Sequence, residues 1–256
     1  MVKNNKKICI ITATYNSEKS LENLANSIRD CKTSDIEWIV IDNLSLDNTL
    51  KIINKNIDII DHFITEKDCG IYDAWNKGLR LTNADFITFI ASDDLIQKSY
   101  LDIAINAINQ FSNYNIISFK ILYISPLKNI ILNSNSYKKP INYPFNLGFF
   151  HPGTLHSKSL FENDEFDSSF KIAGDREFLT RQAFKLKPII ILTDNPQIIH
   201  YYGGVSTSYN NKILQHQEVL KILKKNFKFS ILIFPYLFMT YFKISFFRLK
   251  KFISIE

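Results

Sequence analysis

Glycine is scarce in this chain, and none occurs in its first quarter. The sequence has 256 residues and seven glycines, and the first glycine is Gly70. A dinucleotide-binding fold needs a glycine-rich turn after its first strand, and a P-loop needs glycines around its phosphate-binding lysine. The turn at Thr12 to Asn16 contains no glycine. Both classes of site are therefore excluded, and a bound phosphate would be held mainly by a metal ion and side chains.

The chain also contains little cysteine. Cys9, Cys31 and Cys69 form no CxxC pair, and three is an odd number. Neither a disulfide framework nor a zinc site is expected, and reduced thiols indicate a cytoplasmic protein. The N-terminal residues MVKNNKK lead directly into an apolar segment, so no signal peptide is predicted.

The uncharged segment near the C-terminus is too short to cross a bilayer. Phe229–Phe242 has fourteen residues without a charge, whereas a spanning helix takes about twenty, and Pro235 would kink it. Lysines on both sides and many aromatic residues indicate that 227–256 forms amphipathic helices on an anionic membrane surface. The alternative is a helical pair that packs on the rest of the chain or on a second subunit of a homodimer. Nucleic acid is disfavoured, because the positive charge surrounds an apolar segment.

Two adjacent acids follow an apolar, β-prone run. Phe86 to Ala91 is typical of a strand buried on both faces of a parallel sheet, and Ser92, Asp93 and Asp94 come next. Neighbouring carboxylates are costly to bury unless a cation lies beside them, and Mg²⁺ or Mn²⁺ binds carboxylate and phosphate oxygens. The pattern predicts a divalent-cation site. The alternative is a cap for a helix that starts near Gln97.

Strand and helix patterns alternate through the first hundred residues. Strands are predicted at Ile8–Thr14, Trp38–Asp42 and Ile57–Thr65, and helices at Leu50–Lys55 and Ile71–Leu81. This order predicts an α/β fold with a parallel sheet and right-handed crossovers. Ligands of such sheets bind at the carboxyl ends of the strands. Polar residues lie at three of these ends and are expected to share one site: Thr14, Asp42 and the Asp93–Asp94 pair.

The second half gives weaker patterns. A strand is predicted near 115–125, followed by a loop over 126–147. The remaining predictions are helices at Ser157–Phe161 and Arg176–Ala183, and strands at Ile189–Leu192 and Gln197–Tyr201.

These motifs resemble those of the family-2 glycosyltransferases of bacterial polysaccharide assembly, which have the GT-A fold. Asp68–Gly78, DCGIYDAWNKG, is similar to the signature D-x-G-x-Y-D-A-x-N-K-G of that family, and Ser92–Asp94 is similar to its metal-binding acids. The resemblance covers about residues 7–225. Its other matching segments are Ile10–Asn16, Trp38–Thr49, His151–Phe161, Phe166–Asp167, Gly174–Glu177 and Gly203–Ser206.

The resemblance implies a Rossmann-like, mostly parallel sheet flanked by helices. The GT-A catalytic domain would span 1–226, with a nucleotide-sugar half at 7–97 and an acceptor half at 98–226. The appendage at 227–256 would attach the protein peripherally to the inner face of the bacterial cytoplasmic membrane.

The implied reaction is an inverting, Mn²⁺- or Mg²⁺-dependent sugar transfer. The donor would be an NDP-sugar, with a UDP-sugar as the preferred choice. The acceptor would be a polyprenyl-diphosphate-linked glycan of O-antigen, capsule or exopolysaccharide synthesis. By resemblance, Asp94 would hold the metal and Asp175 would be the general base. Nucleotide and donor contacts are expected from Thr12, Thr14, Tyr15, Asp42, Asp68, Asp73, Asn76, Lys77 and Asp93. Cleft positions are expected for His151, His200 and Glu177, the last as the fallback base.

Several of these residues also have structural interpretations. Asp42 suits a strand-end cap, Asp175 suits a helix N-cap, and Asp73 with Lys77 suits a helix-surface pair. His200 suits a satisfied structural histidine. Two other functions stay open: a nucleotidyltransferase, although its phosphate loop is missing, and a membrane-associated sugar-nucleotide-binding or scaffold protein without activity.

Overall fold

The computed structural model describes residues 7–125, 129–132, 149–183, 185–191, 193–202, 204, 209–226, 234, 238–239 and 241–245. Most of the predicted loop at 126–147 and most of Phe229–Phe242 lie outside these residues. The same holds for Gly203, Val205 and Ser206 of the last matching segment.

The first half alternates strands and helices as predicted. It contains β1 (Ile8–Thr14), α1 (Leu21–Arg29), β2 (Ile36–Asp42), α2 (Thr49–Lys55), β3 (His62–Thr65), α3 (Ile71–Leu81) and β4 (Phe86–Phe89). The predicted third strand was too long, because residues 56–59 form turns after α2.

The second half departs further from the prediction. It contains β5 (Leu95–Ile96), α4 (Tyr100–Gln110), β6 (Ile116–Ser118), β7 (Ile121–Ile124), β8 (Asn129–Leu132), β9 (Leu155–Ser157), α5 (Gly174–Arg181), β10 (Pro188–Ile190), β11 (Ile198–Tyr201) and α6 (Tyr209–Asn226). The single strand predicted near 115–125 is two strands, β6 and β7, which belong to different sheets. The predicted helix at Ser157–Phe161 is the end of β9 followed by a 3₁₀ turn at Lys158–Leu160.

The main sheet has seven strands in the order β10-β6-β9-β4-β1-β2-β3. All its pairings are parallel except those of β9, which runs antiparallel to both β4 and β6. The predicted mostly parallel sheet is therefore confirmed. A second sheet has four strands in the order β5-β11-β7-β8, and its strand β11 contains His200.

Both faces of the main sheet are buried by helices. On one face Ile8, Ile10 and Trp38 pack with residues of α1, α2 and α4. On the other face Cys9, Ile11 and Ile39 pack with residues of α3, α5 and α6. This double burial explains why β1 and β2 read as nearly continuous apolar runs.

Helix α3 lies unusually close to β1. A Cβ added at Gly78 would lie 2.7 Å from Cγ2 of Ile11, so a side chain at position 78 would force the two elements apart. Glycine is otherwise a poor helix residue. Its presence in the middle of α3 is therefore explained by this contact.

Among the described residues, no helix is both long and apolar enough to cross a bilayer.

Candidate functional site

The first turn, after β1, is joined to the loop after β2 and to the end of β4. The backbone N–H of Asn16 donates to Ser45 Oγ at 2.9 Å, and that of Ser17 donates to Thr49 Oγ1 at 2.7 Å. The hydroxyls of Ser17 and Ser92 are 2.8 Å apart. The loops after three strand ends are therefore tied together at the carboxyl edge of the main sheet, the region that we call the crevice, and their sharing of one ligand site stays a prediction. Tyr15, in the first of these loops, has 58% of its surface exposed.

Asp42 organises this region from inside the fold. It is fully buried and accepts hydrogen bonds from Thr14 Oγ1, Thr65 Oγ1, and both the backbone N–H and the hydroxyl of Ser45. These four hydrogen bonds engage both oxygens and agree with the strand-end alternative. The expected contact between Asp42 and a nucleobase stays a prediction.

Thr12 and Thr14 also have partners within the fold. Thr12 is fully buried and its Oγ1 accepts the indole N–H of Trp38 at 3.1 Å. Thr14 is 3% exposed and donates to Asp42 at 3.0 Å. Their expected contacts with a nucleotide stay predictions.

Asp68 is joined to the loop after β2, and its contact with the donor stays a prediction. Its backbone N–H donates to Asn43 Oδ1 at 2.8 Å, which ties it to the loop after β2, and its Oδ1 accepts the N–H of Gly70 at 2.8 Å. Gly70 has φ +124°, a backbone conformation that favours glycine. Partial burial raises the pKa of Asp68.

Three other residues of the signature helix have structural partners. Asp73 accepts the backbone N–H of Cys69 at 2.9 Å, and Lys77 Nζ lies 2.9 Å from Glu66 Oε1 and donates to the Lys67 carbonyl at 2.8 Å. Asn76 is 4% exposed and exchanges two hydrogen bonds with the backbone of Phe166, at 2.9 and 3.0 Å. These contacts give Asp73, Asn76 and Lys77 roles in local folding, and their expected donor contacts stay predictions.

Asp94 and His200 form an ion pair at the end of β4. Asp94 is 1% exposed, and its Oδ1 lies 2.7 Å from His200 Nδ1, which comes from a strand 106 residues later. Burial raises the pKa of Asp94. Burial lowers the pKa of His200, but the bond to Asp94 and the charges of Asp94 and Asp93 outweigh it, so the net shift is upward.

The alternative that Asp93 or Asp94 caps a helix is wrong. Helix α4 begins only at Tyr100, and its N-cap position is Ser99. Gly204 lies against Asp93, since a Cβ added there would be 3.3 Å from Asp93 Oδ2. The Asp93–Asp94 pair therefore ends a strand and faces the segment that follows β11.

Asp175 is held at the start of α5 by Tyr72 of α3. The Tyr72 hydroxyl lies 3.2 Å from Asp175 Oδ1 and 2.7 Å from the Ile172 carbonyl oxygen. A Cβ at Gly174 would lie 2.7 Å from the Tyr72 ring, so glycine allows this approach. Burial raises the pKa of Asp175. The N-cap position is Ala173, so Asp175 is not the helix cap.

Glu177 and His151 are engaged elsewhere. Glu177 is fully buried, with Arg181 Nε and Lys225 Nζ each 2.9 Å from its carboxylate, which favours Asp175 over Glu177 as the proposed base. The His151 ring stacks on Trp75 and Phe89, with centroids 5.2 and 5.5 Å apart. Burial lowers the pKa of His151 to about 4. His151 therefore belongs to the aromatic packing beneath the crevice, and its contact with an acceptor stays a prediction.

Of the predicted site residues, those whose surroundings best suit a direct role are Tyr15, Asp68, Asp93, Asp94, His200 and Asp175. Sequence reasoning missed Tyr72, although it belongs to the signature segment, because a tyrosine in an amphipathic helix reads as core. It also missed the ion pair between Asp94 and His200, since no local pattern relates residues so far apart in the chain.

A family model described as glycosyl transferase family 2 matches residues 9–180, which is more than half of the chain. This chain belongs to glycosyl transferase family 2. The predicted membership is confirmed, and the matched region contains every acid of the crevice.

Known relatives agree with this membership. The family-2 chain is 32% identical over 100 residues to the poly(ribitol-phosphate) beta-N-acetylglucosaminyltransferase TarS of Staphylococcus aureus, a match that covers 37% of the chain and 18% of TarS. The chain therefore spans less than a fifth of the length of this relative.

Solved structures show the same fold. TarS residues 1–349 in complex with UDP-GlcNAc superpose with a TM-score of 0.67 at 21% identity, covering 88% of this chain and 73% of the other. The mannosyltransferase PcManGT of Pyrobaculum calidifontis, in complex with GDP-Man and Mn²⁺, gives a TM-score of 0.66 at 16% identity, covering 88% and 65%. The predicted GT-A fold is confirmed.

Proposed function

We propose that the chain transfers a sugar, with inversion, from a nucleoside-diphosphate sugar to a hydroxyl group of a glycan. The observation that carries this proposal is the buried carboxylate of Asp94, paired with His200 at the carboxyl edge of the main sheet. Nucleotide ligands of α/β sheets bind at that edge. A UDP-sugar is the first donor to test, because TarS is a neighbour in complex with UDP-GlcNAc.

The residues at this edge suit a divalent cation. The Asp94 carboxylate is a ligand type that suits Mg²⁺ and Mn²⁺, and the His200 imidazole lies 2.7 Å from it. Asp93 precedes Asp94 in the chain, but in the described part of the chain no group of three or more His, Cys, Asp or Glu side chains is arranged to hold a metal ion. Asp94, with His200, would therefore hold the ion, and diphosphate oxygens and water would complete its coordination. The bound ion would neutralise charge on the leaving diphosphate.

Asp175 is the proposed general base. Its carboxylate takes the proton of the acceptor hydroxyl, and the oxygen then forms a bond to the anomeric carbon on the face opposite the diphosphate. The bond from that carbon to the diphosphate oxygen breaks, and the nucleoside diphosphate leaves with the electron pair. The raised pKa of Asp175 makes it a better proton acceptor than an ordinary aspartate.

Tyr15 and Asp68 would border the donor. Tyr15 presents an exposed ring at the edge of the crevice, where a nucleobase could stack on it. Asp68 lies beside the loop after β2 through its bond to Asn43 and offers a half-buried carboxylate for sugar hydroxyls.

We further propose that the acceptor glycan is linked to a lipid. The described residues of the C-terminal segment expose large apolar side chains, including Phe234, Phe238 and Phe242 at 65–73% exposure. Lys224 and Lys243 flank this segment. Such a surface suits peripheral binding to an anionic membrane, where a polyprenyl-diphosphate-linked glycan of surface-polysaccharide synthesis would be located.

A donor screen tests the transferase proposal. Purified protein is incubated with UDP-GlcNAc, other UDP-sugars and GDP-mannose in the presence of Mn²⁺, and release of the nucleoside diphosphate is followed with and without EDTA. We expect metal-dependent release from at least one donor. Binding without release would instead favour the sugar-nucleotide-binding or scaffold protein, and pyrophosphate formation from a nucleoside triphosphate and a sugar phosphate would favour a nucleotidyltransferase.

Vesicle cosedimentation tests the membrane proposal separately. The protein should sediment with anionic vesicles more than with neutral ones, and Phe238→Glu should weaken this binding. Leu46→Glu is the matched control, because Leu46 is 89% exposed but lies in the loop after β2. Equal binding of the wild type and Phe238→Glu would contradict a membrane role for the C-terminal segment.

A further inference from the structure

Helix α6 contacts the turn that leads into Asp175. The helix spans Tyr209–Asn226 and therefore lies beyond residues 9–180, which the family model matches. Its residue Glu218 is 6% exposed and faces three consecutive backbone N–H groups, those of Lys171, Ile172 and Ala173. We call these three residues the base turn, since Gly174 and Asp175 follow directly.

The Glu218 carboxylate binds the whole base turn. Oε1 accepts the N–H of Lys171 at 2.6 Å, and Oε2 accepts those of Ile172 and Ala173 at 2.9 and 2.8 Å. Successive N–H groups that converge in this way form an anion-binding nest. Hydrogen bonds to an ionised acceptor are roughly twice as strong as neutral ones. A buried carboxylate with three such bonds therefore fixes the backbone of the turn.

The opposite side of the base turn is fixed by the donor half of the molecule. The Tyr72 hydroxyl contacts both the Ile172 carbonyl and Asp175, and the Lys171 ammonium donates to the Cys69 carbonyl in the loop that carries Asp68. The turn is therefore held between α6 on one side and the signature segment on the other. Removing either support would let Asp175 move relative to Asp68.

We infer that Glu218 is a positioning residue, which places the Asp175 carboxylate by binding the backbone N–H groups of the base turn. The inference rests on the proposed function, because it takes Asp175 as the base of the transfer. It extends the catalytic apparatus to a helix outside the region matched by the family model.

Substitution of Glu218 by glutamine is the test. The amide keeps one acceptor oxygen for three donors and turns a hydrogen-bearing nitrogen toward them, so the turn should relax. A displacement of about 1 Å costs up to roughly 100-fold in rate. We expect kcat to fall about 10- to 100-fold while KM for the donor stays unchanged, and Glu218→Asp should retain more of the rate because both its oxygens accept.

Lys221→Met is the matched control on the same helix. Lys221 also contacts the segment before α5, through Ser169 Oγ at 2.8 Å and the ring of Phe170, but it does not touch the base turn. Its substitution should leave kcat near the wild-type value. Circular dichroism and UDP binding verify that each variant is folded.

Two results would overturn the inference. In the first, the kcat of Glu218→Gln equals that of Lys221→Met. In the second, Glu218→Gln raises the KM for the donor and leaves kcat unchanged. If the wild type itself transfers no sugar, the proposed function fails instead. The surroundings of Asp175 can then be compared by NMR titration of its carboxyl group. Glu218→Gln should shift this titration, and an unchanged titration would refute the role of Glu218.

Discussion

Asp42 and Asp94 both follow buried strands, yet their surroundings give them different chemistry. Asp42 is saturated by the neutral donors of Thr14, Ser45 and Thr65. Asp94 is buried to a similar degree but faces an imidazole. The neutral donors around Asp42 tie neighbouring loops to it, whereas the proposed function places a cation beside Asp94 and His200. We therefore expect the two acids to differ in function although their strand-end positions are alike.

Asp175→Asn should lower kcat about 100- to 10,000-fold, the range that general base catalysis contributes, and leave donor binding nearly unchanged. The amide cannot take the proton of the acceptor hydroxyl. Steady-state kinetics with UDP titration of the folded variant measure both effects. A variant that keeps its rate but loses donor affinity would place the base elsewhere.

The decrease of kcat at low pH, the acid limb of its pH profile, should reflect protonation of Asp175. Burial raises the pKa of Asp175, so the base becomes protonated, and transfer slows, at a pH above the usual range of an aspartate. The pH dependence of kcat under saturating donor measures this limb. A limb within or below the usual aspartate range would contradict the burial of the base.

Single residues were predicted unevenly from the sequence. The acids at the strand ends and Asp175 were found because short motifs carry them. The pairing of Tyr72 with Asp175 and of His200 with Asp94 was not predicted, although His200 itself was expected in the cleft, since these residues meet only in the folded chain. Asn76 and Lys77 are expected at the donor because they belong to the signature, and in the structure they contact backbone groups and a neighbouring charge.

At the scale of elements, the contact between α3 and β1 depends on Gly78. Gly78→Ala should destabilise the protein by about 1–2 kcal/mol, because the cost of overpacking a fully buried Ile11 exceeds the gain in helix propensity. Urea unfolding measures the change. In an Ile11→Ala background the same substitution should become neutral or stabilising, and an equal loss in both backgrounds would contradict the contact.

Elements with a clear period were predicted well, and short ones were not. β1, α2 and α3 have long or strongly periodic apolar patterns and were found within one or two residues of their bounds. β5 and β9 have two or three residues each and were missed. Such short strands are specified by pairing with distant strands, as β9 is by β4 and β6, and local sequence does not encode that pairing.

At the scale of the whole molecule, two buried histidines link stability to pH. Burial lowers the pKa of His151 to about 4 and that of His156 well below its ordinary value, which the nearby His151 lowers further. Unfolded histidines bind protons near pH 6.5, so the unfolded chain binds more protons than the folded one at mildly acidic pH. Stability should therefore fall as the pH drops.

Between pH 7.5 and 5.5, His151 alone should remove roughly 1 kcal/mol of unfolding free energy. The raised pKa values of His200, Asp94 and Asp175 act in the opposite direction. Comparing His156→Phe with the wild type isolates the contribution of His156 to this pH dependence, since His151, His200, Asp94 and Asp175 are present in both proteins. The variant should lose less stability on acidification in urea titrations, and an identical loss would contradict the neutral buried state of His156.

The overall architecture followed from the sequence because alternating strands and helices leave few topologies. Helix α6 was not predicted, although it contains Glu218 and packs on the same face of the main sheet as α3 and α5. Local sequence does not show which face of a sheet a helix covers.

The proposed function requires that the carboxyl edge of the main sheet bind a nucleotide together with a divalent cation through Asp94. Calorimetric titration of UDP, with and without Mn²⁺, into the wild type and into folded Asp94→Asn measures this binding. Mn²⁺ should strengthen UDP binding to the wild type by about tenfold or more and leave binding to the variant unchanged. An equal Mn²⁺ effect in both proteins, or none in the wild type, would contradict the claim.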